Sequence, residues 1–114
     1  MKRYVRSYGE FRIPMLEVVK VASNPRTRAN TLRKIAEQET DCLVLHAIAK
    51  NKNATADTLE LLSDNPNYIV RRAITEHPNT SIETLRKMSE ADRSKEIRMY
   101  AKLALYTKEK YPSN

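Results

Sequence analysis

The residues of this 114-residue chain that could carry nucleophilic or metal chemistry are two histidines, one cysteine and the carboxylates around them. Nucleophilic catalysis needs a nucleophile, a base and an orienting group within hydrogen-bond reach of one another. His46 falls inside a helical segment and His77 in a turn before Pro78, so no triad follows from their placement. His77 reads as a helix-end or solvent-facing residue. A metal site would have to gather His46, His77 and a carboxylate from separate segments, and no HxxxH or CxxC spacing supports one. Cys42 follows Asp41 at a helix start, a setting that favours a reactive thiolate, yet its repeat position holds Met15 and Tyr68 and reads as packing. The single glycine excludes a GxGxxG fingerprint or a Walker loop. The chain therefore reads as a non-enzyme with no cofactor and no metal.

Binding chemistry is better represented. The 21 Lys and Arg exceed the 14 Asp and Glu by seven, and the excess is localised. Residues 1–34 hold nine bases against two acids, whereas residues 35–114 hold twelve of each. Lys2, Arg3, Tyr4, Arg6, Tyr8, Phe11 and Arg12 interleave cations with aromatic faces, a mixture suited to phosphate neutralisation and base stacking. The same apolar residues would also serve to cover the end of a helical stack. The candidate contacts to a nucleic-acid backbone or another acidic surface are Arg3, Arg6, Arg12, Arg26, Arg28, Arg33 and Lys34, with Tyr4 and Tyr8 available for stacking. A second candidate surface, for an acidic protein partner, comprises Arg71, Arg72, Arg86 and Lys87; Glu60 shares the repeat position of Arg33 and Arg86 and interrupts a continuous phosphate track.

The elements that position these residues come from an internal repeat of 26–28 residues. Leu32, Leu59 and Leu85 form one column, Ile35, Leu62 and Met88 a second, and Leu16, Leu43, Ile69 and Ile97 a third. Ala22, Ala49 and Thr75 precede the turns at Asn24-Pro25, Asn51-Lys52 and His77-Pro78. Within a unit the apolar spacing predicts two helices, the longer over 14–23, 41–50 and 67–76, and a shorter one after a polar turn. Thr80-Ser81-Ile82-Glu83 reads as a capping box, with Thr27 and Thr55 placed in the Thr80 column. A last helix over about 94–108, with Ile97, Tyr100, Ala101, Ala104 and Leu105 on one stripe, reads as a terminal cap.

The run from Leu59 through Asn65-Pro66, Ile69-Val70-Arg71-Arg72-Ala73-Ile74 and His77-Pro78 to Thr80 resembles the leucine-rich repeat variant family, which is similar in appearance to HEAT repeats. That resemblance covers about residues 14–105. It implies alternating α-helices and short, often 3₁₀-like helices stacked into a right-handed superhelix, and a binding role without naming a ligand. The iron-sulfur module carried by some relatives is not implied, since Cys42 stands alone.

These observations predict an all-α chain: a short right-handed α-solenoid of about three to four helical-pair repeats. Residues 1–13 would form a basic and aromatic cap or arm, 14–110 the repeat domain, and 111–114 a tail. The expected function is a non-enzymatic macromolecule-binding module that contacts nucleic-acid backbone or another acidic surface through its N-terminal third, with a protein-binding adaptor or inhibitor as the alternative. No apolar run spans a membrane, which with the lone cysteine suggests a cytoplasmic protein without membrane partners; the oligomeric state is left open by the sequence.

Overall fold

A computed structural model of the chain describes residues 5–8 and 11–112, with side chains from residue 13 to 112. Two short antiparallel strands, β1 (Val5–Tyr8) and β2 (Phe11–Pro14), precede seven helices: α1 (Met15–Ser23), α2 (Ala29–Gln38), α3 (Cys42–Lys50), α4 (Ala56–Leu62), α5 (Tyr68–Glu76), α6 (Ile82–Ala91) and α7 (Lys95–Lys110). The pairing Tyr8↔Phe11 leaves two residues between the strands, and the sole glycine of the sequence, Gly9, stands at that link. The N-terminal segment, expected as a cap or arm, thus contributes a hairpin that packs on α1.

Four of the seven helices, α3, α5, α6 and α7, begin where the sequence supplies a side-chain oxygen for otherwise unpaired amides. Asp41 Oδ1 accepts from Leu43 N–H at 2.8 Å, Asn67 Oδ1 from Ile69 and Val70 at 2.9 and 3.2 Å, and Ser94 Oγ from Ile97 at 3.3 Å. The capping box is displaced by one residue from its expected place. Ser81, not Thr80, caps α6 by accepting from Thr84 N–H at 3.1 Å, while buried Thr80 donates backward to Ile74 O at 2.7 Å. Thr27 repeats this bond to Val21 O at 2.6 Å, so Thr27 shares the Thr80 column, but Thr55 belongs with Ser81 as the N-cap of α4. The second helices are α-helical, and α2 and α6 with ten residues are longer than α1, α3 and α5 with nine.

Packing follows sequence order. Helix α1 lies on α3, α3 on α5 and α5 on α7, while α2 lies on α4 and α6 on α7. The core holds Leu32, Leu59 and Leu85, then Ile35, Leu62 and Met88, as the first two columns require. Truncating a fully buried member such as Leu59 to Ala costs about 2–5 kcal/mol. The third column divides. Leu16, Leu43 and Ile69 are 73%, 66% and 51% exposed at the second position of α1, α3 and α5, and Glu96 occupies that position in α7. Ile97 is buried one residue later, in register with Val44 and Val70. The step from α5 to α7 is 27 residues, Val70 to Ile97, so the 28-residue spacing from Ile69 to Ile97 joins two different helical positions.

A ladder of side-chain amides ties successive turns together. Asn51 Nδ2 donates to Ala22 O and Asn24 O, both at 2.9 Å, while its Oδ1 accepts from Asn53 N–H at 2.9 Å. Asn53 Nδ2 reaches Pro25 O at 2.7 Å and Thr27 O at 2.9 Å; Asn79 Nδ2 reaches Lys52 O and Ala54 O at 3.3 and 2.9 Å. His77 takes the Asn51 position one unit on. Its Nδ1 accepts from Asn79 N–H at 3.0 Å, which leaves the ring proton on Nε2 to be donated to Asn51 O at 2.7 Å. At the C-terminal end Lys108 Nζ donates to Pro78 O at 2.7 Å, the carbonyl a further unit's asparagine would otherwise bind. This contact ties α7, with its sixteen residues, back to the last turn.

Candidate anion-binding turn edge

The candidate residues do not converge as one surface. Arg3 and Tyr4 lie outside the described residues, as do the side chains of Arg6, Tyr8 and Arg12, whose backbone belongs to β1 and β2. Arg33 is held on the outer side of α2 by Glu37 at 2.9 Å and Asp57 at 3.4 Å, so its charge is largely balanced locally. Asp57 in turn has its carboxyl held below the usual aspartate range, first by the Thr55 hydroxyl donating at 2.5 Å, then by backbone amides and Arg33. Lys34 is exposed beside a groove of about 720 Å³ lined by Ile13, Val18, Val21 and Ile35.

The second candidate surface is corrected in part. Arg71 is 3% exposed and cannot meet a partner. Its Nε donates to Asp92 Oδ2 at 2.9 Å and its Nη1 to Asn65 O and Pro66 O at 2.9 and 3.1 Å, locking the entry of α5 to the exit of α6. It occupies the helical position of Val18 and Leu45, so a position that is apolar in α1 and α3 accepts a guanidinium in α5 with full pairing, and Arg98 holds the same position in α7. Arg72 stacks 4.7 Å over Tyr100 and lies 3.9 Å from Glu76. Lys87 lies 3.9 Å from Glu60, so the residue expected to interrupt the phosphate track forms an ion pair with the next unit's lysine. Arg86 is exposed.

Arg26 and Arg28 remain. Both are exposed on the turn between α1 and α2, and neither makes an ion pair among the described residues. Lys50, the last residue of α3, and Lys52, in the turn that follows, are likewise exposed and without an ion pair among the described residues. The two turns are fastened by the four bonds from Asn51 and Asn53, which set Lys52 against the turn that holds Arg26 and Arg28. Arg26, Arg28 and Lys52 thus lie on two turns bonded side by side, with Lys50 at the end of the helix that leads into the second. Lys50 and Lys52 escaped the sequence reading because residues 35–114 balance to zero overall, and only the repeat register places these two lysines beside the basic third.

His46 is half-buried in α3 and His77 is buried in the ladder; among the described residues no three His, Cys, Asp or Glu side chains are grouped to hold a metal ion. Cys42 is exposed, not packed, whereas Met15 and Tyr68 at the same position of α1 and α5 pack partly against the core. Among the described residues no helix is long and apolar enough to cross a membrane. Comparison of the chain with protein-family models, curated proteins and solved structures finds no match in any of the three.

Proposed function

We propose that the chain is a non-enzymatic repeat module of the leucine-rich repeat variant kind, a short right-handed solenoid that binds nucleic-acid backbone along its turn edge. The observation that carries this reading is the set Arg26, Arg28 and Lys52 on two turns pinned together by hydrogen bonds, with Lys50 at the end of the helix beside them. Rigid placement removes the entropy of gathering the charges, and the absence of local ion pairs among the described residues leaves them available to phosphates. Such contacts are independent of base sequence, and Arg3, Arg6, Arg12, Tyr4 and Tyr8 of the N-terminal segment would add charge and stacking to the same ligand. The row of α1, α3, α5 and α7, closed at one end by Lys108, supports the solenoid.

The test is fluorescence anisotropy with a mixed-sequence single-stranded oligonucleotide at low salt. The wild-type chain binds, and the charge-reversed R26E/R28E/K50E/K52E variant does not. A wild-type chain that leaves the oligonucleotide free at low salt refutes the proposal.

A protein-binding reading draws on a face other than Arg72, Arg86 and Lys87, where Leu16, Leu43 and Ile69 stand exposed at equivalent positions on the alternate helices α1, α3 and α5. Leu43→Asp separates the two readings, since it alters that face and leaves the turn edge unchanged.

A further inference from the structure

The ladder of turn amides has an open end. Asn51 and Asn24 are built alike: each accepts the amide of the residue two positions on, Asn53 at 2.9 Å and Arg26 at 2.8 Å, through Oδ1. That shared turn directs Nδ2 toward the preceding unit. For Asn51 the preceding unit supplies Ala22 O and Asn24 O; for Asn24, in the first unit, the amide has no partner among the described residues and the side chain is exposed. The next position repeats the pattern. Asn53 and Asn79 reach back to the carbonyls of the previous turn, and in the first unit this position is Arg26. The N-cap position, held by Thr55 and Ser81 in later units, is Arg28. The first rung therefore keeps the donor geometry of the ladder but replaces two neutral side chains with guanidinium groups.

We infer that this first rung, Asn24 Nδ2 with the Arg26 and Arg28 guanidinium groups, is an oxyanion clamp that takes one phosphate of the bound strand. A carbonyl oxygen suffices for an asparagine amide, whereas a rung with two added positive charges matches an acceptor that is itself charged. The clamp rests on the nucleic-acid reading for its ligand. Asn24 would act as a neutral donor whose direction is fixed by the Arg26 amide, so its contribution is separable from net charge.

Two substitutions make that separation. Asn24→Asp retains an oxygen for the Arg26 amide and exchanges the outward donor for an acceptor; Ser23→Asp adds the same charge on the adjacent exposed residue and removes no donor from the rung. Affinity of the full chain for the oligonucleotide should fall about tenfold further in N24D than in S23D, the loss of one hydrogen bond to a charged acceptor. In parallel, titration of the ¹⁵N-labelled wild-type chain with inorganic phosphate should shift the Asn24 side-chain amide signals saturably. Equal losses in the two variants overturn the clamp while leaving the turn-edge reading intact. Saturable shifts by phosphate in a chain that binds no oligonucleotide support the clamp and overturn the nucleic-acid reading.

Discussion

Replacing Asn51 tests the amide ladder that holds the turn edge rigid. Asn51 is 5% exposed; its side chain donates twice, to Ala22 O and Asn24 O, and accepts once, from Asn53 N–H. Asn51→Ala removes all three bonds and leaves two carbonyls and an amide to find other partners. At about 1 kcal/mol net per bond, the expected loss is about 2–4 kcal/mol, or a fall in Tm of about 10 °C for a chain of this size. Asn51→His copies what the chain does one unit later, where His77 accepts through Nδ1 and donates through Nε2 to a single carbonyl. It should therefore cost only about 1 kcal/mol. Asn51→Asp keeps the accepted bond but sets a carboxylate oxygen against two carbonyls, and should be at least as damaging as the alanine variant. Urea unfolding followed by circular dichroism measures all three. An alanine variant within 0.5 kcal/mol of wild type, about half of one bond's expected worth, or a histidine variant no more stable than it, would refute the ladder as a source of stability.

The Arg71–Asp92 pair is buried, with both side chains 4% exposed, so Asp92→Ala should cost about 3–5 kcal/mol by stranding the guanidinium. In a double-mutant cycle, R71L/D92N should be more stable than the sum of its single variants by more than 1 kcal/mol, as measured by urea unfolding. Thr55→Val removes the first cause of the lowered Asp57 carboxyl pKa, and the carboxyl should titrate closer to the ordinary aspartate range by ¹³C NMR. Because that folded-state value is depressed, the small stabilisation it brings is present above the ordinary aspartate value and lost as pH falls through the folded one, and T55V should flatten stability over that acid window. Lys108→Ala should free the Pro78 carbonyl and speed amide exchange in the last turn of α7 more than in α5.

Much of the fold was legible because stacked units constrain the same positions again and again. The Leu32, Leu59 and Leu85 column and the starts of the long helices near Asp41 and Asn67 could be read directly from residue type and spacing. What failed were registers. Thr80 and Ser81 both carry a hydroxyl, and spacing alone does not say which one caps the helix and which reaches back to Ile74 O. The hairpin was hidden because a four-residue strand leaves too short a pattern to distinguish it from a basic arm. For the candidate site, charge summed along the sequence pointed to Arg26 and Arg28 but passed over Lys50 and Lys52, whose relevance depends on two turns 27 residues apart being bonded side by side. Arg71 shows the converse: its neighbours in sequence suggested a surface pair, while the column it belongs to is a core column.

The salt dependence of oligonucleotide affinity tests the turn edge most directly. Each phosphate neutralised on a single strand contributes about 0.7 to the slope of log affinity against log salt, so four bases contribute about 3. Replacing Arg26, Arg28, Lys50 and Lys52 by glutamine should flatten the wild-type slope by about that amount, leaving only what the N-terminal segment supplies. An unchanged slope in the glutamine variant would contradict the assignment of phosphate contacts to this edge.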